Sequence, residues 1–324
     1  MDRILVTGGC GFIGSNFIRY MFEKYPGLSI VNLDKLTYAG NPENLRDVER
    51  AGHDYTFTRG DICDEDLVSN LVGEGFDAVV NFAAESHVDR SITGPRDFIR
   101  TDIFGTFSLL EACREHGTAL FLQVSTDEVY GSIDEGSFTE ESLLAPNSPY
   151  SASKAGADML VRSYHATWGQ PVIITRSSNN FGPYQYPEKL IPLFVTNAID
   201  DIPLPLYGDG QNVRDWLYVR DNVAAIDLVL RKGNPGGVYN IGGGQEKTNV
   251  EITRAILETL GKPPGLIRYV KDRPGHDRRY SIEFSRVKEL GYRPGADFER
   301  MLEETIRWYA DNRSWWEPLK QAAR

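Results

Sequence analysis

The sequence predicts an α/β protein: a doubly wound parallel sheet with a smaller C-terminal domain. Three observations carry this. Apolar strand-like runs alternate with amphipathic helical stretches through the first half, the rhythm of repeated βα units. Runs such as Ile4-Leu-Val6 and Ala78-Val-Val-Asn-Phe82 show no apolar/polar alternation, as expected of strands covered on both faces. The first run also ends in a cluster of glycines that opens a helix, the turn by which such sheets receive phosphates.

Taken in order, the strand candidates are residues 3–7, 29–34, 55–59, 78–82, 119–125 and 172–177. Helices are expected at 13–24, 42–50 and 65–71, with longer ones at 95–115 and 150–168. Asn41 before Pro42, and Asp64 before Glu65, are helix-start chemistry: a side chain to cap the free amides, and a proline or an acid in the first turn. After Asn179 the rhythm changes, and Pro and Gly recur from Pro183 to Gly210. Helices return at 221–231, at 249–260 behind the capping box Thr248/Glu251, and at 298–309. The expected division is a nucleotide-binding domain over 1–178, to which a strand near 237–241 returns, and a smaller domain over 179–324.

Composition removes several function classes. With 41% hydrophobic residues and 36 aromatics (15 Phe, 16 Tyr, 5 Trp) the chain is globular. Its net charge of −11, with no basic run, argues against nucleic acid. No stretch approaches the ~18 apolar residues of a membrane span. The uncharged run after Arg3 is broken by glycines and lacks a signal-peptide cleavage site. Three cysteines (Cys10, Cys63, Cys113) without a CxxC, and five histidines without HxxxH spacing, suit a reducing cytoplasm and argue against a metal.

Gly9-x-Gly11-x-x-Gly14 satisfies the dinucleotide fingerprint, and Gly8-x-x-Gly11-x-x-Gly14 fits the short-chain dehydrogenase spacing. The glycines allow a tight turn and let a pyrophosphate reach the amides of a helix N-terminus. Glycine turns also occur for structural reasons. This one, however, sits in the first βα unit, and Asp34 ends the next strand 20 residues after Gly14. An acid there suits the ribose diol of NAD and repels the extra phosphate of NADP, although Lys35 blunts the repulsion. The fold class is thereby a Rossmann-type one, and the expected cofactor is NAD. Asp61-Ile62 after the third strand and Phe82-Ala83-Ala84 after the fourth lie where adenine and the cofactor edge are expected; alone, each is a strand end.

Tyr150 and Lys154 stand at i and i+4, on one face of a helix. For the phenol to act as a base near neutrality its pKa must fall by about three units, roughly 4 kcal/mol of phenolate stabilisation. Lys154 and an oxidised nicotinamide, both positive, are the expected sources. Ser125-Thr126-Asp127-Glu128 ends the fifth strand, at the edge where ligands bind. Adjacent acids there are usually solvated. Thr126 already offers the hydroxyl partner a dehydrogenase tyrosine needs, which leaves Asp127 and Glu128 for an acid/base pair whose proximity separates their pKa values.

These residues resemble the dTDP-glucose 4,6-dehydratases, extended short-chain dehydrogenase/reductases, nearly end to end. The matching segments include Leu33-Asp-Lys-Leu-Thr-Tyr-Ala-Gly-Asn41, Ala84-Glu-Ser-His-Val-Asp-Arg-Ser91, Ser125-Thr-Asp-Glu-Val-Tyr-Gly131 and Tyr150-Ser-Ala-Ser-Lys154. They continue through Ser178-Asn-Asn-Phe-Gly-Pro183, Pro187-Glu-Lys-Leu-Ile-Pro192, Arg214-Asp-Trp-Leu-Tyr-Val219 and Asp272-Arg-Pro-Gly-His-Asp-Arg-Arg-Tyr280. Sugar-nucleotide epimerases share Tyr/Lys and Arg-Asp-Trp; Thr-Asp-Glu is the discriminating triplet, because epimerases usually carry a hydroxyl residue at Asp127. Cys10 departs from the family's usual Ala.

The resemblance implies Thr126, Asp127, Glu128, Tyr150 and Lys154 as catalytic residues. It implies cofactor contacts at Gly8, Gly11, Phe12, Ile13, Gly14, Asp34, Lys35, Leu36 and Thr37, then at Asp61, Ile62, Phe82, Ala83, Ala84, Ser86, Thr101 and Asn180 besides Tyr150 and Lys154. Substrate contacts are implied at Ser86, Thr126, Asn179, Lys189, Leu190, Pro205, Tyr207, Arg214, Asn249, Arg273 and His276. Arg214 and Arg273 suit a diphosphate, which guanidinium forks bind bidentately; without the family pattern a surface ion pair is an equal reading. Pro205 and Tyr207 read by themselves as edge-strand packing. The implied reaction is dehydration of dTDP-glucose, in deoxysugar biosynthesis upstream of rhamnose (as dTDP-rhamnose), an aminosugar or an antibiotic sugar. UDP-glucose dehydration, 4-epimerisation and a non-catalytic NAD sensor are the alternatives. The family also implies a homodimer through the two long helices, which the apolar residues in 104–110 permit.

Overall fold

The computed structural model of the chain describes residues 1–295 and 297–322. Its strands, in chain order, are β1 (Arg3–Thr7), β2 (Ser29–Asp34), β3 (Tyr55–Arg59), β4 (Ala78–Asn81), β5 (Phe121–Thr126), β6 (Val172–Ser177), β7 (Asn179–Phe181), β8 (Leu204–Tyr207), β9 (Val213–Tyr218), β10 (Val238–Ile241), β11 (Glu246–Thr248) and β12 (Ile267–Val270). Seven of them form one parallel sheet in the order β10-β6-β5-β4-β1-β2-β3. The chain winds outward from β1 to β3, then restarts at β4 on the other side of β1. That reversal opens a crevice beyond the carboxyl ends of β1 and β4, the place where open α/β sheets bind ligands.

Strand periodicity explains the layers. Ile4 and Val6 point into one core with Phe17, Ile18, Val223 and Ile226, while Leu5 points into the other with Leu109, Phe121 and Val161. All are almost fully buried, each stabilising the fold by about 1.5–3 kcal/mol before entropy is counted. A third core, with Phe181, Phe194, Ile306, Tyr309 and Trp316, supports the small sheets β11-β9-β7 and β12-β8. Among the described residues no helix is long and apolar enough to cross a membrane.

The expected helix over 95–115 is not uniform. It runs as Pro95–Phe98, then a π-helical stretch Ile99–Gly105, then Thr106–His116. Periodicity in the sequence does not register one extra residue per turn. At its end Gly105 packs against a distant segment: a Cβ there would lie 2.4 Å from Ile62. Residues 42–50 likewise divide into a 3-10 turn Pro42–Leu45 and a helix Arg46–Arg50. Helices Val88–Thr93, Leu190–Ile199 and Arg313–Ala322 occupy stretches where none was expected.

Candidate active site

A cleft of about 1580 Å³, counting its open mouth, lies at the sheet's switch point. One end is the glycine turn. Gly8 adopts φ +70°, and a Cβ there would sit 2.6 Å from the Ala83 amide. A Cβ on Gly14 would sit 2.4 Å from the Gly8 carbonyl. Turn, helix and the segment after β4 are therefore in direct backbone contact. Asp34 holds this end together, its carboxylate accepting from the Cys10 amide at 2.9 Å and the Leu36 amide at 2.8 Å. Against the cost of burial, an ion pair from Lys35 at 2.7 Å keeps the Asp61 carboxyl below its usual range.

The cleft is lined by Gly8, Gly11, Phe12, Ile13, Gly14, Asp34, Lys35, Thr37, Asp61, Ile62, Phe82, Ala83, Ala84, Ser86, Thr101 and Asn180 from the first part of the site. Thr126, Asp127, Glu128, Tyr150, Lys154, Asn179 and Lys189 line its other end. Leu36, with φ +57°, turns the loop behind the lining. Polar atoms buried here without a hydrogen-bond partner include Ser125 Oγ, Asp127 Oδ2 and Asn179 Oδ1. Orphaned polar atoms are costly, and beside an open cleft they fit a polar ligand. The glycine cradle and these orphans together suit a dinucleotide.

Tyr150 reaches the end of β5 because the helix Pro149–Trp168 is capped just before it. Ser148 and Ser151 form a reciprocal capping box, with Pro149 in the first turn. Lys154, 4% exposed, donates to the Val124 carbonyl at 2.9 Å. The expected lowering of the Tyr150 phenol does not come from the chain itself. Burial first, then the Glu128 and Asp102 carboxylates, push it well above its ordinary value, opposed by a hydrogen bond with Thr126. Asp127 is 2% exposed, and burial, then Glu128 and Asp215, push its carboxyl far above the usual range. It lies one residue from Glu128, whose Oε2 accepts from the Tyr280 hydroxyl at 3.4 Å.

Of the remaining expected contacts, Tyr207, Arg214, Arg273 and His276 gather as a second group outside the cleft lining. Tyr207 donates to Asp89 at 3.0 Å, Arg273 pairs with Asp89 at 3.4 Å, and His276 bonds Asp272 at 2.6 Å. Arg214 is 5% exposed, stacks 4.2 Å from the Tyr280 ring and donates to the Asp277 carbonyl at 2.9 Å. No carboxylate pairs with it or with Lys189 among the described residues. Burial and the Arg273 charge lower the pKa of both. Buried cations that repel one another are a site for an anion. Leu190 opens the helix Leu190–Ile199, Pro205 pairs with Arg268 in the β8-β12 sheet, and Asn249 opens the helix Asn249–Thr259; none of the three lines the cleft.

Sequence reasoning missed Asp102, Glu85, Asp215 and Tyr280. Asp102, 1% exposed on the π-helical stretch, accepts from Ser153 Oγ at 2.5 Å and from the Glu85 amide at 3.0 Å. Burial pushes it up to about 6 against the pull of Lys154. Glu85, lining the cleft, rises to about 7 through burial, Asp102 and Asp97. An isolated Asp in an amphipathic run carries no signal of this; only the π-turn aims it at the catalytic helix.

The fold and the position of the cleft define a short-chain dehydrogenase/reductase. A family model described as GDP-mannose 4,6 dehydratase matches residues 5–305. The chain is 53% identical over 323 residues to a dTDP-glucose 4,6-dehydratase of Streptomyces niveus, covering 98% of this chain and 96% of that one. It is 48% identical over 347 residues to a dTDP-glucose 4,6-dehydratase of Escherichia coli, covering 97% and 95%. The crystal structure of DesIV, a dTDP-glucose 4,6-dehydratase from Streptomyces venezuelae with NAD bound, matches with a TM-score of 0.95 at 52% identity, covering 98% and 99%. A Thermus thermophilus UDP-glucose 4-epimerase in complex with NAD matches with a TM-score of 0.88 at 31% identity, covering 96% and 99%. The chain belongs to the dTDP-glucose 4,6-dehydratase family.

Proposed function

We propose that the chain dehydrates dTDP-glucose to dTDP-4-keto-6-deoxyglucose. NAD, when bound in the cleft, accepts a hydride from carbon 4 of the sugar and supplies it again to carbon 6. Tyr150 takes the proton of the 4-hydroxyl, with Thr126 holding that hydroxyl pair in line. The ketone at carbon 4 acidifies carbon 5, and Glu128 removes its proton. Asp127 gives its proton to the departing 6-hydroxyl, so one water leaves; as the hydride returns to carbon 6, Glu128 gives a proton back to carbon 5, and no net oxidation occurs. Lys189, Arg214 and Arg273 take the diphosphate.

The observation that carries this reading, over epimerisation, is the buried acid Asp127 with an unpartnered oxygen beside Glu128. An epimerase needs no acid for a leaving hydroxyl. The test is Asp127→Asn, which keeps the shape and removes the proton. Water loss, read by mass spectrometry of the nucleotide sugar, should fall by about 10²–10⁴-fold, while reduced nicotinamide still forms on adding substrate. Native-rate dehydration by this variant would sink the assignment.

A homodimer is supported by Ile99 (56% exposed), Phe104 and Met159, apolar residues on the π-helical stretch and the helix Pro149–Trp168. Light scattering at twice the chain mass is the expected result. Three buried free cysteines support a cytoplasmic location.

A further inference from the structure

Tyr38, Arg90 and Glu188 come from three separate segments: the loop after β2, the helix Val88–Thr93, and the stretch before the helix Leu190–Ile199. They meet at the rim of the cleft. The Tyr38 hydroxyl donates to Glu188 Oε1 at 2.8 Å, and the Arg90 guanidinium lies 3.8 Å over the Tyr38 ring. Arg90 also pairs with Glu188 Oε2 at 3.4 Å, and the Tyr186 ring meets Tyr38 edge-on at 5.5 Å. On either side of Tyr38, Thr37 and Ala39 line the cleft; so do Tyr186 and Glu188 on the facing segment. The network therefore joins the two loops that bound the cleft, one from the glycine-turn end and one from the substrate end.

From this geometry we propose that Tyr38, Arg90 and Glu188 form a clasp that retains the dinucleotide through the whole reaction. The inference rests on the coenzyme reading above and deepens it. A hydride taken from carbon 4 has to return to carbon 6 of the same sugar, so a reduced cofactor that escaped in between would strand the ketone. The clasp would supply a closure separate from the residues assigned to the chemistry. The Glu188 side chain is 12% exposed and that of Arg90 47%, which puts the charged acceptor inside and the cation at the surface. A hydrogen bond to a partly buried carboxylate is stronger than an exposed ion pair, and the guanidinium stacked on the ring adds a cation–π contact. Burial, then the Glu188 charge, keeps the Tyr38 phenol protonated and hence a donor. Opening the clasp parts three side chains and moves no strand of the sheet.

The test uses the holoenzyme loaded with isotopically labelled NAD and diluted into excess unlabelled NAD. The variants are Tyr38→Phe, which removes only the hydroxyl, and Arg90→Gln, which removes the stacked cation. Each should release label faster than the native protein, on the order of ten-fold. Turnover should become dependent on added NAD, while the NAD-free protein keeps its native circular dichroism and still unfolds cooperatively. Native release rates in both variants would overturn the clasp and leave the coenzyme reading standing. A native chain that binds no NAD would overturn both.

Discussion

Asp102 shows how one side chain couples the chemistry to pH. It touches the catalytic helix through Ser153, next to Lys154, and its charge raises the Tyr150 phenol. Asp102→Asn removes that charge and keeps both hydrogen-bonding positions. Tyr150 then ionises more readily, and the acid limb of the kcat–pH profile should move to lower pH; an unmoved limb contradicts the coupling. The stability effect has a definite sign. The carboxyl sits at about 6 when folded against roughly 3.9 unfolded. Between those values the folded state holds the extra proton, so stability declines as pH rises through the window. The Asn variant should lack that part of the decline in urea titrations. Tyr150 and Lys154 were legible as a pair because i, i+4 spacing is local. The charges that tune them lie on other segments, Asp102 and Glu128 among them, and their effect on Tyr150 was not.

At the scale of elements, what is local is what the sequence displayed. The strand over 3–7, the helix start at Asn41-Pro42 and the capping box at Thr248 match the observed elements because each is decided by neighbours in the chain. The π-helical stretch at Ile99–Gly105 has no local signal, and its last residue packs against Ile62, 43 positions earlier in the chain. The glycine turn lies between these cases. Its spacing is local, but the need for glycine at position 14 comes from the Gly8 carbonyl. Gly14→Ala should weaken NAD binding at least ten-fold by calorimetry, an estimate from the cost of overpacking a rigid contact. Gly52→Ala is the control. Gly52 has positive φ, unlike Gly14, yet nothing lies within 4 Å of its added Cβ, so stability should drop by about 1 kcal/mol with NAD affinity unchanged. Equal loss of affinity in both would mean that the turn is not a cradle.

Across the whole molecule, catalytic geometry depends on the helix Pro149–Trp168 being fixed to the sheet. Its anchor is buried. Asp158 on that helix pairs with Arg176 on β6 at 2.8 Å, at 0% and 1% side-chain exposure, and Arg176 also donates to the Tyr130 hydroxyl. Asp158→Asn leaves a buried guanidinium underpaired and should cost about 3–5 kcal/mol, with kcat falling in the surviving folded fraction because Tyr150 is no longer held to β5. A stability loss below 1 kcal/mol would contradict that anchor. That the sheet is parallel was legible from βα alternation; its strand order was not. The grouping of Lys189, Arg214 and Arg273 came only from the family pattern, since it brings together a helix start, a strand and a loop from distant parts of the chain.

The central claim is that one active site oxidises carbon 4, expels water and returns the same hydride to carbon 6. The direct measurement is to incubate the protein, without added NAD, with dTDP-glucose carrying deuterium at carbon 4, and to analyse the product by mass spectrometry and proton NMR. The account predicts a product lighter by one water with the deuterium retained at carbon 6. An isomer of unchanged mass, or a dehydrated product whose deuterium has gone to solvent, would contradict it.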